Sequence, residues 1–217
     1  MPEVSTIPIF PLDNVVLFPG VQVPLFIFEP RYRQMTAASL ADDRRIGMVV
    51  VKPEHRGEIG QEPPVFPVGC AGRIEQAEPH EDGTYHIVLQ GTNRFRIRSE
   101  VPRQGERLYR VAEVEPLADA APAPPDVLAP LRERILDLMR HLVPDRADRF
   151  QSQTFARLDD TTFVNAFCQS LDFSPLEKQQ LLEANGVRAR AEQLVALMDF
   201  GIAAHATTPS PSSETVH

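Results

Sequence analysis

Residues 7–33 read IPIFPLDNVVLFPGVQVPLFIFEPRYR, from Ile7 to Arg33, and this stretch decides the fold. Asp13 is its only charge before Glu29, so hydropathy alone would pass Ile7 to Phe28 as a membrane span. The prolines exclude that. Pro8, Pro11, Pro19 and Pro24 each remove a backbone donor and clash with the preceding turn, at about 3 kcal/mol per interior helix position. What remains is three short β segments, IPIF, VVLF and VPLFIF, punctuated by turns at Leu12–Asn14 and Pro19–Gly20. Glu29-Pro30 then opens a helix, since proline suits a first helical position and an acid suits the positive end of a helix dipole.

Outward from this stretch, strand patterns continue to about Pro116. Ile46–Val51 reads as a buried strand, and Val68–Ala77, Thr84–Gln90, Arg94–Val101 and Tyr109–Val114 alternate or cluster β-formers between Gly, Pro and Asp signals. Glu81-Asp82-Gly83 is a hairpin turn, and Gly91-Thr92-Asn93 is a second candidate reversal. One helix, Pro30 to about Leu40, interrupts the strands, with Tyr32, Met35 and Leu40 able to share a face. Ala118–Pro125 (ADAAPAPP) reads as an extended linker. Beyond it the period becomes helical: Val127, Leu128, Leu131, Ile135, Leu138, Met139 and Leu142 share one face, and Phe163, Val164, Phe167 and Leu171 another. Ser174-Pro175-Leu176-Glu177 has capping-box order, Asn185-Gly186 ends that helix, and Arg188 to about Ala203 forms the last, with Ala191, Leu194, Val195, Met198 and Ile202 inward. The predicted class is α+β. Residues 1–117 form a β domain with one short helix, 118–125 a linker, 126–205 a four-helix subdomain, and 206–217 a disordered Ser/Thr/Pro-rich tail.

The composition is that of an ordinary globular chain, 42% hydrophobic and 24% charged. Its formal net charge is −8, with 13 Lys+Arg against 16 Asp+Glu up to Leu117 and 9 against 14 after it. Both halves are acidic, which argues against nucleic acid, because phosphate neutralisation needs a basic face. Arg94, Arg96 and Arg98 alternate with Phe95 and Ile97 and read as the solvated face of a strand. Cys70 and Cys168 have no paired spacing and read as buried reduced thiols. MPEVST lacks the basic and apolar regions of a signal peptide, so the expected compartment is the cytoplasm.

Catalysis finds no foothold. The chain has only two lysines, Lys52 and Lys178, neither in a general-base context, and no Gly-rich phosphate loop or Gly-x-Ser-x-Gly elbow. His80, Glu81, Asp82 and His86 cluster about the predicted hairpin, but such spacing is cheap and reads as a solvated turn, with no metal and no cofactor expected. Asp159-Asp160 reads as a helix N-terminus and Asp42-Asp43 as a loop.

The ordered set Ile9-Phe10-Pro11-Leu12, Leu17-Phe18-Pro19-Gly20, Pro24-Leu25 and Ile27-Phe28-Glu29-Pro30-Arg31-Tyr32-Arg33 resembles the start of the Lon protease N-terminal, or substrate-binding, domain. The resemblance continues through Val68-Gly69-Cys70, Gly72-Arg73-Ile74, Gly91-Thr92-Asn93-Arg94-Phe95-Arg96-Ile97 and Glu177-Lys178-Gln179-Gln180-Leu181-Leu182-Glu183, from about Ile7 to about Ala204. It implies a PUA-like β pseudobarrel followed by a C-terminal helical bundle. It also implies a standalone, non-enzymatic recognition protein, since the ATPase loop and Ser-Lys dyad of full-length Lon have no counterpart here. The implied partners are unfolded or degron-bearing polypeptides, with a separate protease and self-association both compatible. The candidate binding residues are Leu17, Phe18, Pro19 and Phe26, an apolar patch exposed around the Phe18-Pro19-Gly20 turn, rimmed by Arg31, Tyr32 and Arg33. Two alternatives remain open: an adaptor docking one native partner, and RNA binding borrowed from the PUA-like fold.

Overall fold

A computed structural model describes residues 4–58, 62–119, 125–142 and 157–207. The strands are β1 (Ser5–Leu12), β2 (Gln22–Ile27), β3 (Arg45–Val50), β4 (Val68–Pro79), β5 (Tyr85–Val101) and β6 (Arg110–Pro116). The helices are α1 (Pro30–Ala41), α2 (Pro125–Leu142), α3 (Asp160–Ser170), α4 (Pro175–Glu183) and α5 (Val187–Thr207). The sheet is mixed and the class is α+β.

Strand order is β2-β5-β4-β3-β1-β6, and β5 also pairs with β6, so five strands close on themselves with β2 attached beside them. β5 makes this possible. Its first half pairs with β2 through Tyr85–Gln90 and its second half with β6 through Phe95–Val101, while β4 runs along most of its length. The reversal expected at Gly91-Thr92-Asn93 is therefore not there, and one 17-residue strand runs through it. Gly91 instead allows a close approach: a Cβ there would lie 2.1 Å from the Phe18 carbonyl oxygen. Gly91 N–H donates to Val21 O at 2.8 Å, and Gly20 N–H donates to Gly91 O at 2.9 Å.

β1 and β3 run parallel, joined by a crossover that contains β2 and α1. β3 is buried on both faces, as its near-continuous apolar run requires. Val49 joins Ile7, Ile9, Phe95, Ala112 and Val114 in one small core, while Ile46, Met48 and Val50 belong to a larger one. That larger core is continuous from the strands into the helices, through Leu17, Phe18 and Cys70 to Ile135, Phe163, Phe167 and Leu194.

Local signals place the helices. Ser174 and Glu177 make the reciprocal capping box, and the Asp159 carboxylate accepts from Thr162 N at 3.0 Å. Ala191, Leu194 and Met198 are buried on α5, and Leu128, Ile135, Leu138 and Met139 on α2. The Glu81-Asp82-Gly83 turn joins β4 to β5, with His80 N–H donating to Thr84 O at 2.9 Å. Two further readings need correction. VVLF (Val15–Phe18) makes no strand but a buried connection. Arg94 is not solvated but 3% exposed. The expected linker lies partly, and the expected tail almost entirely, outside the described residues.

Candidate functional site

The two halves of the 7–33 stretch meet different fates. Leu17 and Phe18, expected at the surface, are buried at 1% and 0%. The turn that follows them is covered from far away in sequence. Asn165 of α3 donates its side-chain amide to Pro19 O at 2.9 Å, and Thr162 lies against Gly20. Leu17 fits into space that Gly72 and Gly91 leave open. Pro19 is half-buried at this junction.

A buried ionic group holds the helices there. Arg94 on β5 donates to Leu182 O at 2.7 Å and to Ala184 O at 2.8 Å, capping the end of α4, and also pairs with Asp119. Arg190 of α5, wholly buried, donates to Leu181 O, to Asn165 Oδ1 and to Asp119. Burial, and then the neighbouring Arg190 charge, push the Arg94 guanidinium below its ordinary range, opposed by Asp119. One carboxylate thus serves two guanidiniums. Neither the length of β5 nor its alternation betrays this arginine, because what buries it is α4 and α5. A cleft of about 280 Å³ opens beside it, lined by Pro19, Arg94, Asp119 and Thr161 among others.

β2 presents the exposed surface. Its side chains alternate, with Val23, Leu25 and Ile27 turned inward and Gln22, Pro24 and Phe26 outward. Phe26 is 50% and Phe28 60% exposed, and their rings stack with centroids 6.0 Å apart. The His86 ring, opposite Phe26 in the β2–β5 register, lies 4.8 Å from it. His80 completes the cluster, its Nε2 2.7 Å from His86 Nδ1. Two neighbouring large aromatics this exposed exceed what packing asks of a sheet face. Phe28 was legible as apolar but not as exposed; only the phase of β2 tells. β2 is also a terminal strand. Because Val21 faces β5 through its backbone, Pro24 falls in the alternation with its missing N–H toward the open edge, where proline discourages strand addition.

The charged rim is structural in part. Arg31 donates to the Glu29 carboxylate through Nε and Nη2, at 3.1 and 2.7 Å, and stacks 4.5 Å above the Tyr32 ring. Tyr32, expected at the rim, is buried. Its hydroxyl donates to Pro11 O at 3.3 Å and its ring packs 4.3 Å from Phe10. Burial pushes its phenol up to about 12. Arg33, half-buried, lies against the hairpin turn, where a side chain at Gly83 would collide with its Nη2. Thus Phe26 and Phe28 are exposed, Arg33 lies against the neighbouring hairpin turn, and Leu17, Phe18 and Tyr32 belong to the core.

Among the described residues no three His, Cys, Asp or Glu side chains gather to hold a metal ion. No helix among them is long and apolar enough to cross a membrane. Cys70 and Cys168 are free and buried, and burial pushes both thiols up to about 12, so they are inert rather than nucleophilic.

The sequence profile of the ATP-dependent protease La (LON) substrate-binding domain matches residues 6–199, and the chain belongs to that family. Lon protease of Escherichia coli (strain K12) is 28% identical over 201 residues, which cover 90% of this chain and 25% of that protein. Lon protease of Flavobacterium johnsoniae is 26% identical over 198 residues, 89% of this chain and 24% of that protein. The chain spans about a quarter of the length of the curated relatives it matches, and the matched part is the substrate-binding domain, outside Lon's ATPase and protease regions. Among solved structures, the N-terminal domain of Mycobacterium avium complex Lon protease shares the fold at a TM-score of 0.67 and 18% identity, covering 90% of this chain and 98% of that one. A Lon N-terminal domain protein from Xanthomonas campestris does so at 0.62 and 24%, covering 88% and 98%.

Proposed function

We propose that this protein is a non-catalytic recognition unit that binds unfolded or degron-bearing polypeptides through the Phe26–Phe28 face of β2. The observation that carries the reading is the exposure of those two rings, one on and one just past a terminal strand whose own edge Pro24 closes. Unfolded segments share displayed apolar side chains, and stacked aromatics offer them area at little entropic cost. Arg33, beside the hairpin turn next to that face, is proposed as a forked donor to carbonyls or carboxylates, with Arg31 held by Glu29. The closed strands are read as a PUA-like pseudobarrel and α2–α5 as its helical bundle, a rigid platform for that face. Membership of the LON substrate-binding family supports the reading, as does the Lon name of the relatives. A protease acting in trans on the captured chain fits it too.

The test is titration of a reduced, alkylated and therefore unfolded globular protein against the purified chain and its Phe26→Ser/Phe28→Ser variant. Saturable binding lost in a folded variant is expected. Binding that survives in the variant, or none in either, overturns the reading.

A fixed protein partner is the second reading, favoured by α5. Phe200 is 71% exposed, one turn beyond a groove of about 520 Å³ lined by Leu181, Ala184, Ala196 and Leu197. A single stoichiometric partner retained by wild type and lost on Phe200→Ser is what that reading requires.

A further inference from the structure

The imidazole pair beside Phe26 gives the same face a charge preference, an inference that rests on reading it as a polypeptide site. His80 Nε2 and His86 Nδ1 lie 2.7 Å apart, and the two rings meet edge-on with centroids 4.8 Å apart. Two ring nitrogens at that distance need one proton between them, one donating and the other accepting. The pair therefore keeps its geometry when neutral or with one added proton, and loses it with two.

The charges around the pair come from three elements. Glu78 on β4 stands opposite His86 in the β4–β5 register, Glu81 and Asp82 form the turn, and Arg33 reaches that turn from α1. Glu29, beyond Phe28, is matched by Arg31. Three carboxylates against one guanidinium leave the surface with two excess negative charges while the imidazoles are neutral. The amide and hydroxyl of Thr84 hold the Asp82 carboxyl below its usual range, so that charge persists in mild acid. Imidazole is the side chain that changes charge between about pH 5 and 8.

An aromatic face bordered by surplus carboxylate suits a cation carried beside an apolar group, because ring faces attract ammonium and guanidinium and the carboxylates pair with them. We propose that the Phe26–Phe28–His80–His86 cluster docks extended polypeptide segments bearing Lys or Arg next to an apolar residue, and that protonation of the histidine pair weakens this docking. The first added proton removes half of the surplus negative charge. The second breaks the shared hydrogen bond and drives two cationic rings apart under Phe26.

The experiment uses the full chain and two fluorescent peptides of identical apolar sequence, one carrying lysines and its twin glutamates. Anisotropy is read at pH 7.5 and 5.5 in low salt. At pH 7.5 the lysine peptide is expected to bind about fivefold more tightly than its twin, a preference that fades in high salt. By pH 5.5 its affinity should fall about fivefold in wild type. In a folded His80→Gln/His86→Gln variant it should change less than twofold, and Phe26→Ser should abolish binding of both peptides. Equal affinity for the twins, an unchanged pH response in the glutamine variant, or binding that survives Phe26→Ser each overturns the proposal. If neither peptide binds wild type, the polypeptide reading itself fails, a different outcome from a bound pair without preference.

Discussion

Phe18 and Phe26 stand eight positions apart in the same proline-punctuated segment, yet one is sealed and the other half-exposed. Each is a phenylalanine between apolar neighbours close to a proline. The difference lies in what arrives later in the chain. α3 covers the Pro19–Gly20 turn, and Arg94 and Arg190 fasten the helical half over it, whereas nothing among the described residues covers the outer face of β2. Apolar character alone cannot separate a residue that holds the domain together from one that meets a partner. Coverage separates them, and coverage can be tested by substitution.

The sharpest test is Phe18→Ser, which leaves a cavity and a buried hydroxyl. It should cost about 4 kcal/mol in chemical denaturation, and a loss under 1 kcal/mol would mean the turn is not sealed. Next comes Asp119→Ala, which leaves two buried guanidiniums without their shared carboxylate; about 3 kcal/mol is expected, with faster proteolysis of the helical half. Asn165→Ala removes both the Pro19 contact and an Arg190 acceptor and should cost about 2 kcal/mol in the same assay.

The buried side also carries a pH signature. Cys70, Cys168 and Tyr32 all have folded values raised to about 12, so the folded state holds those protons more tightly than the unfolded one. Their contribution is complete below the unfolded values, 9.0 for thiol and 10.0 for phenol, and is lost as pH rises toward 12. The melting temperature should fall across that window, and Cys70→Ala/Cys168→Ala should flatten the fall. The smallest effect belongs to the exposed side: Phe26→Ser should shift stability by no more than about 0.5 kcal/mol while abolishing client binding. If it destabilised like Phe18→Ser, the contrast would collapse.

Features written in neighbouring residues were legible in the sequence. The Ser174–Glu177 capping box, the Asp159 cap, the Asp82-Gly83 hairpin and the helical stripes of α2 and α5 all depend on contacts within a few positions. Features decided at long range were not. Gly91 looks like a turn until the Phe18 carbonyl is found against it, and Arg94 looks solvated until α4 and α5 close over it. The candidate site divides the same way. The aromatic content of residues 7–33 was visible, but the choice of Phe26 and Phe28 over Leu17 and Phe18 needed the phase of β2 and the position of α3.

The bond from Asn165 to Pro19 spans 146 residues. At roughly 5–20 residues per second on the ribosome, the partner of that turn emerges about 7–30 s after the turn itself. Throughout that interval the Pro19–Gly20 turn beside Phe18 lacks its α3 cover, and the growing chain displays there the kind of apolar segment that its finished form is proposed to capture. Newly made copies would then compete with the clients of their finished neighbours.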